Sequence, residues 1–134
     1  MNKREEKAAE EYYGYLIKEY WDNKLYQLPA GNLSEKDLLK SEMRIAGARS
    51  LLSSIYEVSH CAGWVHRRLY DIEAKYKALG EESAKHKTEE REKKLSWIEA
   101  HKSGESIASI SERTGEPIPY ILASMVNLGY FVKE

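Results

Sequence analysis

The spacing of apolar residues between residues 51 and 79 constrains the fold more than any other feature of the sequence. Apolar side chains follow one another there in alternating steps of four and three, and no proline lies between Pro29 and Pro117. Such a repeat is typical of a coiled-coil seam. The alternative is an ordinary buried helix face, but its period of about 3.6 residues would fall out of step with this repeat over such a length. The sequence therefore predicts an all-α protein that oligomerises through Leu51, Ile55, Val58, Ala62, Val65, Leu69, Ile72, Tyr76 and Leu79.

A shorter helix is predicted before this one. Residues 4–27 carry apolar side chains at helical spacing, and the stretch LPAGNLS then breaks the helix at Pro29 and Gly31. Ser34 is a typical N-cap for the next helix, because acidic residues follow it within the first turn. We expect the two helices to form a hairpin.

The lengths of the two helices predict self-association. At about 1.5 Å per residue, a helix over residues 34–79 is roughly 70 Å long, whereas one over residues 4–27 is only about 36 Å long. The first helix therefore covers only half of the second when it folds back. The uncovered seam from Ala62 to Leu79 needs another chain, so residues 1–80 are predicted to be a coiled-coil domain that forms a homo-oligomer.

Two further segments follow the predicted hairpin. Residues 81–94 are polar on all sides, with opposite charges four residues apart, and they predict a charged helical linker. Residues 95–134 contain the stretches LSWIEAHKSG, ESIASISERTG and PYILASMVNLG, which predict three short helices. The residues expected to face inward in these helices are Leu95, Ile98, Ile107, Ile110, Ile121, Met125 and Leu128.

The last segment resembles the trihelical helix-turn-helix of resolvases, transposases and small bacterial regulators. The resemblance covers about 40 residues and lies in the pattern Gly104, Ser106, Ile107, Ile110, Ser111, Thr114 and Gly115. The ending MVNLGYF also resembles the close of a winged-helix reading helix, which implies a first wing strand at residues 130–132. Both resemblances imply a DNA-binding fold.

This segment departs from the family pattern at the start of its third helix. Glu116 stands where the family usually has an apolar residue. Ile118 precedes a proline, which disfavours helical backbone at Ile118, so we expect the third helix to begin one turn late. The positions that family members aim at bases are Pro117, Ile118, Pro119, Leu122, Ala123 and Val126, none of which can form a side-chain hydrogen bond. Leu122, Ala123 and Val126 are therefore predicted to bind a partner protein if the helix does not read DNA.

Basic side chains elsewhere in the chain could track phosphates without reading sequence. Residues 95–134 hold only three Lys or Arg against five Asp or Glu, which disfavours tight duplex binding by this segment alone. The alternative for all the candidate cations is a set of solvated helix charges paired with nearby carboxylates. The candidate nucleic-acid contacts are Arg67, Arg68, Arg91, Lys93, Lys94, Lys102 and Arg113.

The chain offers weak candidates for chemistry. His60 and His66 are six residues apart and face different sides of a helix, so they cannot share a metal ion. Cys61 follows His60 directly, and adjacent helical residues do not face each other. The chain has neither a glycine-rich phosphate loop nor an obvious pair of catalytic carboxylates. We therefore expect no enzyme activity, no catalytic residue, no metal and no cofactor.

Composition sets the class of protein. Hydrophobic residues make up 42% and charged residues 32% of 134, and no apolar run approaches the roughly 18 residues of a membrane span. The charged beginning MNKREEKAAEE lacks the apolar core of a secretory signal, so a cytoplasmic protein without membrane contact is expected. One cysteine, Cys61, agrees with a reducing compartment.

The combination of a coiled coil with a helix-turn-helix resembles accessory proteins of tailed phages and mobile elements, such as small terminase subunits. The hairpin is loosely similar to phage recombination mediators. This resemblance implies a non-enzymatic, oligomeric accessory protein in DNA packaging, recombination or regulation. The rival hypothesis is a protein-binding adaptor or inhibitor whose apolar third helix docks on a partner without binding DNA.

Overall fold

A computed structural model of the chain describes residues 3–133, and these residues form five α-helices and no strand. The helices are α1 (Lys3–Asp22), α2 (Glu35–Glu57), α3 (Ala62–Lys102), α4 (Ile107–Thr114) and α5 (Ile118–Asn127), and a π-helical turn (Asn23–Gln27) extends α1. The all-helical class predicted from the sequence is confirmed. The chain divides into two compact units, Met1–His86 and Lys87–Glu134.

The start of α2 follows from its sequence. Ser34 has extended backbone, its hydroxyl accepts from the backbone N–H of Asp37, and the Asp37 carboxylate accepts from the backbone N–H of Ser34. This reciprocal capping box satisfies donors that the first turn of a helix leaves unpaired. The N-cap predicted at Ser34 is confirmed.

The long helix predicted from residue 34 to residue 79 is wrong, because the chain turns back at residues 58–61. α2 ends at Glu57, and the Tyr56 carbonyl accepts from the N–H groups of both Ser59 and His60. The turn lets the second half of the predicted helix fold against the first. Leu52 and Tyr56 thereby become buried with Val65 and Leu69 inside the chain.

The nine residues of the predicted seam consequently do not share one face. Val65, Leu69 and Ile72 are buried, and Ile55 and Tyr76 are half-buried. The exposed members are Leu51, Val58, Ala62 and Leu79. The spacing of four and three runs across the turn, where successive residues no longer lie on one helix.

The first three helices form an up-down-up arrangement in the first unit. Side-chain contacts run in the same direction along α1 and α3, from the Glu10–Arg68 pair to the Asp22–Ser83 pair. They run in opposite directions along α1 and α2, from Tyr20–Glu42 to Glu10–Tyr56. α1 is thus parallel to α3 and antiparallel to α2. The core residues of this unit are Tyr13, Ile17, Leu52, Tyr56, Val65, Leu69 and Ile72.

This arrangement corrects the reason for expecting an oligomer. The seam beyond Ala62 was expected to need another chain, but α1 and α2 cover Val65, Leu69 and Ile72 within the same chain. Those residues therefore do not call for a partner.

The second unit is built from the last turns of α3 together with α4 and α5. Its core consists of Trp97, Ile98, Ile110, Ile121 and Met125. The first of the three short helices expected here is the end of α3 rather than a separate helix. The prediction that Leu95 faces inward is also wrong. Leu95 is exposed and Trp97 is buried, because Trp97 brings far more apolar surface to the core.

The turns of the second unit depend on glycines. α4 is capped by the Ser106 side chain and ends at Gly115, whose φ of 76° lies in the left-handed region. After α5, Gly129 has a φ of 85°, and the N–H of Tyr130 returns to the carbonyl of Met125. Tyr130 and Val132 then pack back on the core, whereas Phe131 is exposed. Residues 130–132 do not form the predicted wing strand, since the described part of the chain contains no strand.

The start of α5 differs from the sequence expectation. The helix begins at Ile118, directly after the N-cap Pro117, so it does not begin a turn late. Pro119 lies in the first turn of the helix. A backbone N–H at this position has no carbonyl acceptor within the helix, so proline, which lacks an N–H, costs no helical hydrogen bond there.

Candidate functional site

The outer face of α5 is an exposed, mostly apolar surface of the second unit. Its inner side is fixed by Ile121 and Met125, which are fully buried, and by Ser124. The opposite side carries the apolar side chains that the resemblance places toward DNA. They form two rows along the helix: Ile118, Leu122 and Val126 at intervals of four, and Pro119 and Ala123 beside them.

Most of this face is open to solvent. Ile118 is 41% and Val126 is 46% exposed, Pro119 and Ala123 are exposed, and Leu122 is half-buried. The three residues predicted to bind a partner, Leu122, Ala123 and Val126, thus lie on one face. Within the second unit, helix α5 therefore packs on one side only.

A network of polar contacts holds the turn before α5. Lys93 on α3 donates to the Glu116 carboxylate at 3.2 Å, and Ser111 donates to the Glu116 carbonyl at 2.6 Å. The N–H of Glu116 donates to the Thr114 hydroxyl. The hydrogen bond to Glu116 raises the pKa of Lys93. The acidic residue that breaks the family pattern at position 116 therefore anchors the turn instead of entering the core.

The basic residues proposed for phosphate contact are largely engaged with carboxylates. Four of the seven form ion pairs: Arg68 with Glu10, Lys93 with Glu116, Lys102 with Glu99 and Arg113 with Glu105. The Arg113–Glu105 pair is double, and it raises the pKa of Arg113 while it lowers the pKa of Glu105. Phosphate binding at these four positions would have to compete with a carboxylate that is already in place.

Arg68 is the most firmly held of these cations. Its guanidinium donates to Glu10 through two N–H groups, at 2.8 and 3.2 Å, and the Tyr56 hydroxyl donates to the same carboxylate. Burial would raise the pKa of Glu10, but the hydrogen bonds from Arg68 and Tyr56 and the charge of Arg68 lower it. This triad joins α1, α2 and α3, so its role is structural.

The remaining candidates, Arg67, Arg91 and Lys94, make no ion pair among residues 3–133. Arg67 is exposed on α3 in the first unit. Arg91 and Lys94 lie on α3 in the second unit, where the Lys94 ammonium sits over the Tyr120 ring at 5.6 Å. Three cations distributed over two units would neutralise few phosphates, so they give weak support for binding of duplex DNA.

Sequence reasoning missed an aromatic stack next to Arg67. The rings of His60 and Trp64 lie 3.7 Å apart at an angle of 16°, and Trp64 is 39% exposed. The stack lines an open cavity of about 740 Å³, and its other walls carry both the cations Lys3, Lys7, Arg67 and Arg68 and the carboxylates Glu6, Glu10 and Asp71. The turn at residues 58–61 brings His60 and Trp64 together, and the sequence carries no signal for that turn.

A second cavity of about 680 Å³ opens between α1, α2 and α3, with Tyr20, Trp21 and Tyr70 on its walls. Its carboxylates serve the fold. Glu42 accepts from Tyr20, and Glu73 accepts from Tyr13 and Arg49 at 2.8 Å each. No group of His, Cys, Asp or Glu in the described residues has the arrangement of a metal site.

No known protein family, curated protein or solved structure matches this chain in comparisons of sequence and structure. The residues and their geometry therefore carry the functional argument. No helix of residues 3–133 combines the length and the apolar character needed to cross a membrane.

Proposed function

We propose that this protein is a non-enzymatic adaptor or inhibitor that binds a partner protein through the outer face of α5. The observation that carries the proposal is the exposed pair of apolar rows on that helix, which contains no charged side chain; the exposed Asn127 continues the second row at the end of the helix. A helix that reads bases in the major groove presents hydrogen-bonding side chains along its exposed face, whereas the five residues of these two rows present none. An exposed apolar surface is instead typical of a protein-binding site.

The proposed occupant is an amphipathic helix of the partner. Residues at intervals of four form a ridge on a helix surface, and a neighbouring helix packs its own ridge into the groove between two rows. Ile118, Leu122 and Val126 form one row and Pro119 and Ala123 the other, so the groove between them is about two turns long. A surface of this size supports a modest, reversible affinity rather than a permanent complex.

The fold around α5 supports the same proposal. α4, the turn at Gly115 and α5 follow the order of a helix-turn-helix, which holds its last helix firmly and displays one side of it. The Lys93–Glu116 pair fixes the entry to α5. We infer that the fold of a DNA-reading module is used here to present an apolar helix.

The test is site-specific photo-cross-linking in the native cells. A photoreactive benzoylphenylalanine replaces Ala123 on α5 and, as the matched control, the exposed Glu112 on α4. We expect a single protein adduct from position 123 and none from position 112. Val126→Asp in the same chain should remove the adduct while the far-UV circular dichroism stays unchanged. The same adduct from both positions, or no protein adduct from position 123, refutes the proposal.

A second candidate is a DNA-transaction accessory function with sequence-tolerant binding, and the His60–Trp64 stack favours it. An exposed aromatic platform beside cations is the common means of holding single-stranded nucleic acid, because every base can stack. Arg67 and Lys7 lie on the same cavity and would contact phosphates. The duplex contacts expected at Lys93, Lys102 and Arg113 have less support, because these cations are ion-paired.

Gel retardation separates the two candidates. The nucleic-acid function predicts a shift of single-stranded DNA at about 50 mM salt that disappears as salt rises. Trp64→Ala and Arg67→Glu should each abolish the shift, whereas reversal of Lys93, Lys94 and Lys102 to Glu should have little effect. No shift at tens of micromolar protein leaves only the adaptor function.

A further inference from the structure

The indole of Trp64 has one face without an aromatic neighbour. His60 covers the other face, with the two ring centroids 3.7 Å apart and the ring planes only 16° from parallel. The Tyr56 centroid lies 5.1 Å from that of Trp64 and 6.2 Å from that of His60. These three distances place Tyr56 nearly at a right angle to the stacking direction, beside the edge of the indole. Since Trp64 is 39% exposed, a planar ligand can stack on the side away from His60.

The stack belongs to a groove between the parallel helices α1 and α3. Glu10 pairs with Arg68 across this groove. Glu6 and Lys7, one turn earlier on α1, therefore lie level with Trp64, one turn earlier on α3. The open volume of about 740 Å³ is within the range of small-molecule sites. The lining residues recur at helical spacing, as Lys3, Glu6, Lys7 and Glu10 on α1 and as Trp64, Arg67, Arg68 and Asp71 on α3.

The charged side chains of the groove fall into two groups. Glu10 and Arg68 are engaged with each other and with Tyr56. The others make no ion pair among residues 3–133; they are the cations Lys3, Lys7 and Arg67 and the carboxylates Glu6 and Asp71. Unpaired charges of both signs beside an open aromatic face are complementary to a ligand that combines a planar ring, an anionic group and hydrogen-bond donors.

We propose that this groove binds a free ribonucleotide, with its base stacked on the open face of Trp64. The phosphates contact the cations, and the adjacent hydroxyls of the ribose donate to the carboxylates, as ribose hydroxyls do to acidic side chains in other nucleotide sites. The carboxylates disfavour a DNA strand, because its internal sugars have no hydroxyl to donate and its phosphates would be repelled. The proposal uses the same stack as the second candidate function but a different ligand, and it is independent of the partner site on α5.

Heteronuclear NMR spectra of the full chain, titrated with ATP in magnesium-free buffer, locate the site. The chain has three tryptophans, and single Trp→Phe variants assign the indole N–H signal of each. We expect the Trp64 signal to shift and to saturate below about 1 mM ATP. The signals of Trp21, which lines another cavity, and of the buried Trp97 should stay in place. Tripolyphosphate, which has neither base nor sugar, should leave the Trp64 signal unchanged.

Isothermal titration calorimetry measures the contribution of each wall. Trp64→Ala should weaken ATP binding at least about fivefold, as loss of a stacking partner does, and Trp64→Phe should retain most of the affinity. Arg67→Glu should also weaken binding. Arg44→Glu is the matched control, because it makes the same charge change at an exposed arginine of α2 that does not line the cavity, and ATP binding should be unchanged.

A nucleotide without sugar hydroxyls tests the carboxylates. Dideoxyadenosine triphosphate should bind about tenfold more weakly than ATP, and a double variant with Glu6→Ala and Asp71→Ala should bind the two nucleotides alike. Equal affinity of the wild type for these two nucleotides overturns the proposal, as does equal affinity for ATP and tripolyphosphate. A Trp64 signal that does not move at about 1 mM ATP also overturns it. If single-stranded DNA moves that signal when ATP does not, the second candidate function is supported instead.

Discussion

Replacement of Gly80 by Ala tests how closely α1 and α3 pack. A Cβ at position 80 would lie 2.6 Å from the backbone oxygen of Lys18 and 2.8 Å from the Cβ of Trp21. Carbon atoms in contact prefer a separation of about 3.5–4.0 Å, so the new methyl group overlaps both neighbours. The nearest atom belongs to the backbone, which cannot move aside as the tip of a side chain can.

The expected cost follows from two opposing effects. Insertion of a methyl group into a packed interface costs about 1–3 kcal/mol, because the helices must separate by several tenths of an ångström. Alanine favours a helix over glycine by about 1 kcal/mol, which offsets part of this cost. We therefore expect Gly80→Ala to lower the free energy of unfolding by up to about 2 kcal/mol.

Gly47→Ala separates the two effects. Gly47 lies in the interior of α2 and a Cβ there meets nothing within 4 Å, so this substitution keeps the helical preference of alanine without the overlap. Urea unfolding followed by far-UV circular dichroism, with both variants at one protein concentration, should give a difference of about 1–3 kcal/mol between them. Equal stability of the two variants would show that α1 does not approach α3 at Gly80 as described.

Three further substitutions test polar contacts of the fold. Glu10→Gln should cost about 1–2 kcal/mol in urea unfolding, since it removes the charge that Arg68 faces. Because the pKa of Glu10 is lowered from its ordinary value of 4.5, its contribution should be present above that pH and fade as the pH falls through the folded-state value. An unfolding series from neutral to acidic pH checks this, and a Glu10→Gln variant with the wild-type dependence would contradict it. Ser34→Ala should cost about 1 kcal/mol of thermal stability by loss of the cap of α2, and no change in melting temperature would refute the capping role. Tyr130→Phe removes the 2.6 Å contact with His101 and should cost about 1 kcal/mol or less in urea, while a gain in stability would argue against that hydrogen bond.

Local features of the fold could be predicted from the sequence because their causes are local. The cap at Ser34 needs only residues within one turn. The end of α4 at Gly115 needs a residue that tolerates a positive φ, and a glycine in that place is a strong signal. The all-helical class follows from apolar spacing over long proline-free stretches.

The pairing of distant residues could not be predicted in this way. Arg68 was taken as a phosphate contact because it is basic, and its carboxylate partner lies 58 residues earlier in the chain. Lys93 and Glu116 are 23 residues apart and meet only once α4 and α5 have folded back on α3. The charge of a lysine or arginine is visible in a sequence, but whether a carboxylate neutralises it depends on tertiary structure.

The turn at residues 58–61 was missed for a related reason. No proline lies between Pro29 and Pro117, and the spacing of four and three continues through the turn. What ends α2 at Glu57 is the burial gained when Leu52 and Tyr56 meet Val65 and Leu69, which is a property of the whole unit. A regular spacing therefore indicates helix on both sides of such a turn without showing that the helix is one piece.

The same turn explains why the outer face of α2 was hidden in the sequence. Leu51 and Val58 fit the predicted seam, so the spacing assigned them to the same face as Val65 and Leu69. In the folded chain the two halves separate: Val65 and Leu69 enter the core with Leu52, while Leu51 and Val58 stay in water. A helix that carries apolar residues on two faces has one face more than its own core requires. The spacing of apolar residues therefore does not separate those that α2 buries from those that it leaves in water.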